Sequence, residues 1–87
     1  MTLSQTAQKN YQDMGYELRH VHDCLASLTP SEYRGVAEYK GARFDVYHPT
    51  YSATDGVIDE IYVKLSSNER ATVPQITVVS FHLKRQG

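Results

Sequence analysis

The sequence predicts an α+β domain in which N-terminal helices pack on a small antiparallel β-sheet. Apolar residues recur at helical spacing through the first third of the chain, and from Ala37 onward they alternate with polar residues at a period of two. Helices followed by a run of strands are typical of this class. The chain has 87 residues, of which 40% are apolar, so we expect residues 1–87 to form a single domain with one modest core.

Two helices are expected before residue 29. Apolar side chains spaced three or four positions apart predict the first helix over residues 3–14, and Thr2 with Gln5 matches a capping box at its start. Gly15 is expected to end this helix. A second apolar stripe over residues 18–28 predicts the next helix, with Cys24 beside the stripe as a small buried side chain.

The strongest local signal is the run Thr29-Pro30-Ser31-Glu32. Thr29 can cap a helix, Pro30 suits the first helical position, and Glu32 can bond back to the cap. The run therefore predicts a short helix that begins at Pro30.

The remaining residues predict a sheet. Lys40-Gly41 is expected to form the turn of a hairpin between residues 38–39 and 42–47, and Pro49 to end the second of these strands. Residues 50–57 are expected to form a polar loop. Two longer strands follow over residues 58–66 and 75–83, with a turn over residues 67–70 after the first and Pro74 at the start of the second.

Composition and charge limit the classes of function. The net charge of −1 argues against a generic nucleic-acid binder. However, residues 60–87 carry four Lys or Arg and two Asp or Glu, against five and eight in residues 1–59, so an anionic ligand would favour the C-terminal half. The apolar runs are too short to span a membrane, and the first residues lack a secretory pattern. The single cysteine, Cys24, fits a reducing compartment, and we expect a cytoplasmic protein.

The two long strands are expected to display reactive groups on one face of the sheet. If they pair as a hairpin, one face carries apolar side chains that would meet the helices: Ile61, Val63, Leu65, Val79, Phe81 and Leu83. The other face carries Tyr62, Lys64, Ser80 and His82. These groups can cleave a phosphodiester, because imidazole moves protons near neutral pH and ammonium stabilises the charge that develops on phosphate.

The same pattern also has a purely structural interpretation, since exposed strand faces commonly carry Tyr, Lys, Ser and His. His20 and His22 lie two positions apart on a predicted helix, so they point in different directions and do not suit a shared metal ion. The sequence has no Gly-rich phosphate loop and no paired-carboxylate motif. It therefore predicts neither a metal ion nor a cofactor.

Five short segments carry a further signal through their order and spacing. They are Gly15-Tyr16-Glu17-Leu18, Leu28-Thr29-Pro30-Ser31-Glu32-Tyr33, Asp45-Val46-Tyr47-His48-Pro49, Ile61-Tyr62-Val63-Lys64-Leu65 and Val78-Val79-Ser80-Phe81. In this order they resemble the MqsR family of mRNA interferases, the toxin halves of toxin–antitoxin pairs. The resemblance implies a RelE-like α+β fold, an endoribonuclease that needs no metal, and an antitoxin partner encoded by an adjacent gene.

Only some of the functional positions of the MqsR family fall on suitable residues of this chain. The tyrosine and lysine of the family's Tyr-x-Lys motif fall on Tyr62 and Lys64, and a basic residue after Val-Ser-Phe falls on His82. A functional lysine of the short helix falls on Gly35, and a polar position before Asp-Val-Tyr falls on Phe44. The typical N-terminal strand and helix are shortened or missing, so the chain resembles a divergent member.

The expected activity is cleavage of single-stranded mRNA through attack by the 2′-OH, leaving a 2′,3′-cyclic phosphate. The residues expected to act in catalysis are Tyr62, His82, Lys64 and Arg34. The residues expected to bind RNA are Lys84, Arg85, Tyr47 and His48. The alternative is a catalytically inert module of the same fold that sequesters an antitoxin or another protein through a sheet edge or its tyrosine-rich face. If the chain self-associates, we expect a weak homodimer.

Overall fold

The computed structural model describes residues 2–68 and 75–84, and their fold is α+β. The helices are α1 (Gln5–Asp13), α2 (Leu18–Ala26) and a short 3-10 helix (Pro30–Glu32). The strands are β1 (Thr2–Leu3), β2 (Tyr33–Tyr39), β3 (Ala42–Tyr47), β4 (Thr50–Thr54), β5 (Val57–Asn68) and β6 (Gln75–Leu83). Within these residues no helix has the length and apolar character needed to cross a membrane.

The strands form a mixed sheet in the order β1-β6-β5-β3-β2, with β4 paired to the first part of β5. β1 runs parallel to β6, and the other pairs are antiparallel. The predicted antiparallel sheet is therefore confirmed for the hairpins. The parallel pair of β1 and β6 was not predicted. It joins Leu3 to Val78, which are far apart in the sequence, so no local pattern indicates it.

Both helices pack on the same face of this sheet. The core contains Ala7, Tyr16, Val21 and Cys24 from the helical segment and Ile61, Val63, Val78 and Phe81 from β5 and β6. Tyr16 has the one polar tip in this group, and its hydroxyl donates a 2.7 Å hydrogen bond to the Asp59 carboxylate on β5. The opposite face of the sheet carries no helix from the described residues, and we call it the open face.

The start of α1 differs from the predicted capping box. Ser4, not Thr2, is the N-cap: its hydroxyl oxygen accepts from the Ala7 amide at 3.0 Å. The same hydroxyl donates to the carbonyl of Val79 at 2.8 Å. Thr2 is held in β1, so it cannot cap the helix. The predicted end at Gly15 is confirmed by its left-handed backbone, with φ of 80°.

The short helix has the predicted capping box, since the Thr29 amide donates to the Glu32 carboxylate at 2.9 Å. It is a single 3-10 turn, and β2 follows at once instead of starting near residue 38. Arg34 is the extra residue of a β-bulge, because Tyr33 pairs with Tyr47 and Gly35 pairs with Val46. The bulge breaks the alternation that would have revealed the strand.

Two further strand predictions need correction. Residues 50–57 are not a polar loop: β4 and the start of β5 form a hairpin around Asp55-Gly56, and Tyr51 and Ala53 pack against the core. In β6 a second bulge lets Val78 occupy the core-facing position predicted for Val79. The predicted turn over residues 67–70 begins within β5, while its last two residues and Pro74 lie outside the described residues.

Candidate active site on the open face

The β5–β6 register brings the predicted reactive groups together. Tyr62 pairs directly with His82, and Lys64 pairs with Ser80. Directly opposed residues of an antiparallel pair point to the same face, so all four side chains lie on the open face. Val79 is the extra residue of the bulge in β6, and it precedes Ser80. The bulge therefore changes which residue before Ser80 faces the core, but it leaves the predicted pairing of Ser80 and His82 unchanged.

Three rings form a row across this face. The Tyr62 and His82 rings are stacked, with centroids 4.9 Å apart and planes inclined by 11°. On the other side of Tyr62, the His48 ring lies 5.5 Å away at an inclination of 42°. We call His48, Tyr62 and His82 the ring row. It places one phenol ring beside two imidazoles, the side chain that exchanges protons near neutral pH.

The His82 ring is fixed by a backbone contact. Its Nδ1 lies 2.8 Å from the Leu83 carbonyl oxygen. A carbonyl oxygen can only accept, so this contact assigns a proton to Nδ1 and leaves Nε2 as the nitrogen that gains or loses one. The ring is half-buried on β6, where the stacking contact with Tyr62 also holds it.

His48 is positioned by the chain that leaves β3. Its amide donates to the Glu32 carbonyl at 2.9 Å, and the next residue, buried Pro49, accepts from the Ile61 amide at 2.9 Å. Burial lowers the pKa of His48 below its ordinary value, and the positive charges of Lys84 and Arg34 lower the pKa further. This imidazole therefore favours its neutral form.

Arg34 lies in the bulge of β2, close enough to His48 for its charge to lower the pKa of that imidazole. Its guanidinium donates to the carbonyls of Ser31 at 2.9 Å and Tyr33 at 3.2 Å. The resemblance to the MqsR family placed a functional position of the short helix on Gly35, the residue next to Arg34. In the structure both residues belong to the bulge, and Gly35 has a φ of 112° that favours glycine.

The two lysines flank the ring row. The Nζ of Lys64 lies 5.0 Å from the centre of the Phe44 ring, so this aromatic side chain stabilises the cation. The Lys84 amide donates to the Glu60 carbonyl at 2.9 Å, so the hydrogen bonding between β5 and the chain after β6 continues beyond His82. Arg85, also predicted to bind RNA, lies outside the described residues.

Tyr47 lies away from this group. It pairs with Val63, packs against the core, and meets the Tyr33 ring edge-on at 5.2 Å, all on the helix-covered face. The structure therefore brings together six of the eight predicted residues and Ser80 but leaves out Tyr47, while Arg85 is not described. The alternation that puts Tyr47 with Val63 also puts His48 beside Tyr62, and this alternation was available from the sequence.

The cations of the open face are not neutralised by ion pairs. In the part of the chain that the structure describes, the ion pairs within 4.0 Å join Arg19 to Glu17 and Arg43 to Glu38. Arg34, Lys64 and Lys84 are in neither pair. Three cations therefore lie around the ring row, together with one carboxylate, Glu60, which shares this face two positions before Tyr62.

The remaining titratable groups named in the sequence serve structural roles. The His20 Nδ1 accepts from the Glu17 amide at 2.9 Å at the start of α2. Burial raises the pKa of the Cys24 thiol to about 12, so it stays protonated and acts as a core side chain. Among residues 2–68 and 75–84, no three His, Cys, Asp or Glu side chains are grouped to hold a metal ion.

Comparison of the chain with protein-family models, with curated proteins and with solved structures gives no match. The resemblance to the MqsR family therefore remains a prediction from the five sequence segments.

Proposed function

We propose that this protein is an endoribonuclease that cleaves single-stranded mRNA in the cytoplasm by proton transfer between its own side chains and the RNA, without a metal ion. The observation that carries the proposal is the ring row, with one histidine on either side of a tyrosine. Near it lie three cations that form no ion pair within residues 2–68 and 75–84, on a face that no helix of these residues covers. The reaction requires groups that transfer protons and groups that stabilise the negative charge of the phosphate.

Each group has a distinct role in the proposed reaction. His48, whose lowered pKa keeps it neutral, takes the proton of the ribose 2′-OH as that oxygen attacks phosphorus. The bond from phosphorus to the 5′ oxygen breaks, and the Nε2 of His82 gives that oxygen a proton. The products are a 2′,3′-cyclic phosphate and a free 5′-OH. Tyr62, between the imidazoles, donates a hydrogen bond to a phosphoryl oxygen.

The cations hold the phosphate during this reaction. Lys64 and Lys84 lie on β5 and just past the end of β6, on either side of the ring row, and Arg34 approaches from β2. Charge that develops on the phosphorane is stabilised by positive groups already in place, because they need no reorganisation during the reaction. The backbone bonds of Arg34 leave part of its guanidinium for a phosphate.

The biological role that we propose is that of a toxin in a type II toxin–antitoxin pair, with a RelE-like fold. The order of the five sequence segments supports this role, and the α+β architecture is compatible with it. An antitoxin encoded by an adjacent gene would be the partner. It would prevent cleavage by covering the open face or by holding the chain away from mRNA.

A second candidate function is an inert module that binds a protein. The observation that favours it is the outer edge of β2, which has no strand partner among the described residues and bears exposed Tyr33, Val36 and Tyr39. Such an edge can take an added strand from another chain. In this case the ring row would have no catalytic role.

The two candidates are separated by inducible expression in a bacterial host, with growth scored and the 5′ ends of transcripts mapped. The nuclease should stop growth and leave new ends at a recurring short sequence. The His82→Ala variant should abolish both effects, whereas His22→Ala, on the exposed part of α2, should leave them intact. Normal growth with intact transcripts from well-expressed, folded wild-type protein would favour the binding module.

A further inference from the structure

A cavity of about 580 Å³ lies on the helix-covered side of the sheet, between the chain that follows α2 and strands β2 and β3. Its lining combines apolar, aromatic, hydroxyl and carboxylate side chains: Leu28, Thr29, Pro30, Tyr33, Asp45 and Tyr47. The volume is in the range of sites that bind small ligands. Asp45 and Tyr47 are two positions apart on β3, so they share this side of the sheet, opposite to the ring row. The proposed cleavage reaction gives this cavity no role.

Two tyrosine rings contribute aromatic surface to the cavity. The Tyr33 and Tyr47 rings meet edge-on, with centroids 5.2 Å apart and planes inclined by 64°. Because both rings line the cavity, a ligand inside it contacts aromatic groups of two different orientations. Phenol rings attract a cation that comes within about 6 Å of the ring centre, and the attraction is stronger when the cation leaves water. The aromatic lining therefore favours a positively charged ligand.

The acidic group of the lining is the half-buried carboxylate of Asp45. Its Oδ1 accepts from the Tyr33 hydroxyl at 3.0 Å, and this hydrogen bond raises the pKa of Tyr33, so the phenol remains a donor at neutral pH. Asp45 forms no ion pair within 4.0 Å among residues 2–68 and 75–84, and Arg43 on the same strand is paired with Glu38 at 3.4 Å. The Oδ2 atom of Asp45 therefore has the capacity to accept from a charged ligand.

The remaining groups indicate the shape of the ligand. Leu28 and Pro30 offer apolar surface, which suits the methylene groups of a long side chain or an alkyl amine. A Ca²⁺ ion needs about six to eight oxygen ligands, and the described residues contain no group of three His, Cys, Asp or Glu that could hold a metal ion. A guanidinium pairs best with both oxygens of a carboxylate, of which one is engaged by Tyr33, whereas an ammonium needs one. The lining thus fits an ammonium on an alkyl chain.

We propose that this cavity binds an alkylammonium group. The Asp45 Oδ2 accepts from the ammonium, the Tyr33 and Tyr47 rings contact the cation, and Leu28 contacts the alkyl chain. The lysine side chain of a partner protein and a free alkylamine share this chemistry. The acidic excess of residues 1–59, with eight Asp or Glu against five Lys or Arg, attracts either one. The inference goes beyond the proposed function, since it adds a ligand on the side of the sheet opposite to the ring row.

The test is an NMR titration of the whole protein with n-butylammonium and with n-butanol, which has the same alkyl chain but no charge. Butylammonium should shift the signals of Leu28 and Tyr47 in a saturable manner, at concentrations about tenfold lower than butanol, because hydrogen bonds to charged groups are the stronger ones. Asp45→Asn, which retains an acceptor for the Tyr33 hydroxyl, should weaken butylammonium binding by about tenfold. Asp55→Asn, exposed in the β4–β5 turn, is the matched control and should leave the binding unchanged.

A blocked lysine peptide, acetyl-Gly-Lys-Gly-amide, identifies the source of the ammonium. Tighter binding of the peptide than of butylammonium would support a protein partner, and weaker binding would support a free amine. Equal binding of butanol and butylammonium by the wild type would overturn the proposal, and so would unchanged butylammonium binding by folded Asp45→Asn. None of these results depends on RNA cleavage, so this proposal can fail while the nuclease stands, and the nuclease can fail while this proposal stands.

Discussion

The two faces of the sheet use alternate residues of the same strands for different purposes. On β5, Ile61 and Val63 are fully buried under the helices, whereas Tyr62 and Lys64 are half-buried on the open face. The helix-covered face has one polar tip in its core, at Tyr16, and this tip is hydrogen bonded. If the open face carries the reaction proposed above, substitutions one residue apart should change stability and cleavage separately.

The largest expected effect is on the helix-covered face. Phe81 is fully buried, and Phe81→Ala should lower the free energy of unfolding by about 3–5 kcal/mol, because it removes apolar contact and leaves a cavity. Urea denaturation followed by circular dichroism measures this loss. A small domain has only about 5–15 kcal/mol in total, so RNA cleavage should fall with folding. A loss under about 1 kcal/mol would show that Phe81 is not central to the core.

A substitution on the open face should have the opposite profile. Tyr62→Phe keeps the stacked ring and removes only the hydroxyl, so we expect RNA cleavage to fall by roughly 10²-fold, the lower end of the range for loss of one hydrogen-bond donor to the transition state. The urea midpoint should stay unchanged. Tyr39→Phe, on the exposed end of β2, is the matched control and should change neither property. Equal activity of the two variants would contradict the role given to the ring row.

The hydroxyl of Tyr16, the one polar group in the core, allows a finer comparison of the two faces. Tyr16→Phe removes the 2.7 Å hydrogen bond to Asp59, and we expect the free energy of unfolding to fall by about 1.5–3 kcal/mol, as for hydrogen bonds to charged groups. Burial and this hydrogen bond both raise the pKa of Tyr16, so its phenol stays protonated. Cleavage measured well below the melting temperature should be unaffected. A change in cleavage without a change in stability would link the two faces.

The smallest expected effect concerns pH. Burial and the charges of Lys84 and Arg34 lower the pKa of His48 from 6.5, so between its folded and unfolded pKa values the unfolded chain binds more protons. Stability therefore rises with pH across that window and falls as the pH drops through it. Lys84→Gln should raise the pKa of His48 and move the acidic limb of the cleavage profile to higher pH. NMR titration of the imidazole measures the pKa, and an unchanged value would contradict the proposed charge interaction.

The sequence predicted the parts of the site that depend on regular alternation. Tyr62 and His82 were assigned to one face because β5 and β6 alternate over that stretch, and the register confirms it. Val79 was assigned to the core because a bulge leaves no mark in a run of apolar residues. The strand that carries Arg34 was not predicted, because the bulge in β2 interrupts the alternation from which a strand is recognised.

Long-range pairing limited the remaining predictions. Thr2 and Leu3 became a strand only because β6, more than 70 residues away, offers an edge to them, and Ser4 then took over the cap. β4 was treated as a loop because its polar residues are frequent, although Tyr51 and Ala53 alternate with them as in a half-buried strand. His48 lies beside Tyr62 because the carbonyl of the next residue, Pro49, accepts a hydrogen bond from Ile61 on β5.

The most direct test of the central claim is the product that the purified protein makes from a short single-stranded RNA in the presence of a metal chelator. We predict a 2′,3′-cyclic phosphate and a free 5′-OH, with formation reduced at least 10²-fold in His82→Ala while its urea midpoint matches that of the wild type. Intact RNA with folded wild-type protein, or cleavage that is unchanged in His82→Ala, would contradict the assignment of chemistry to the open face.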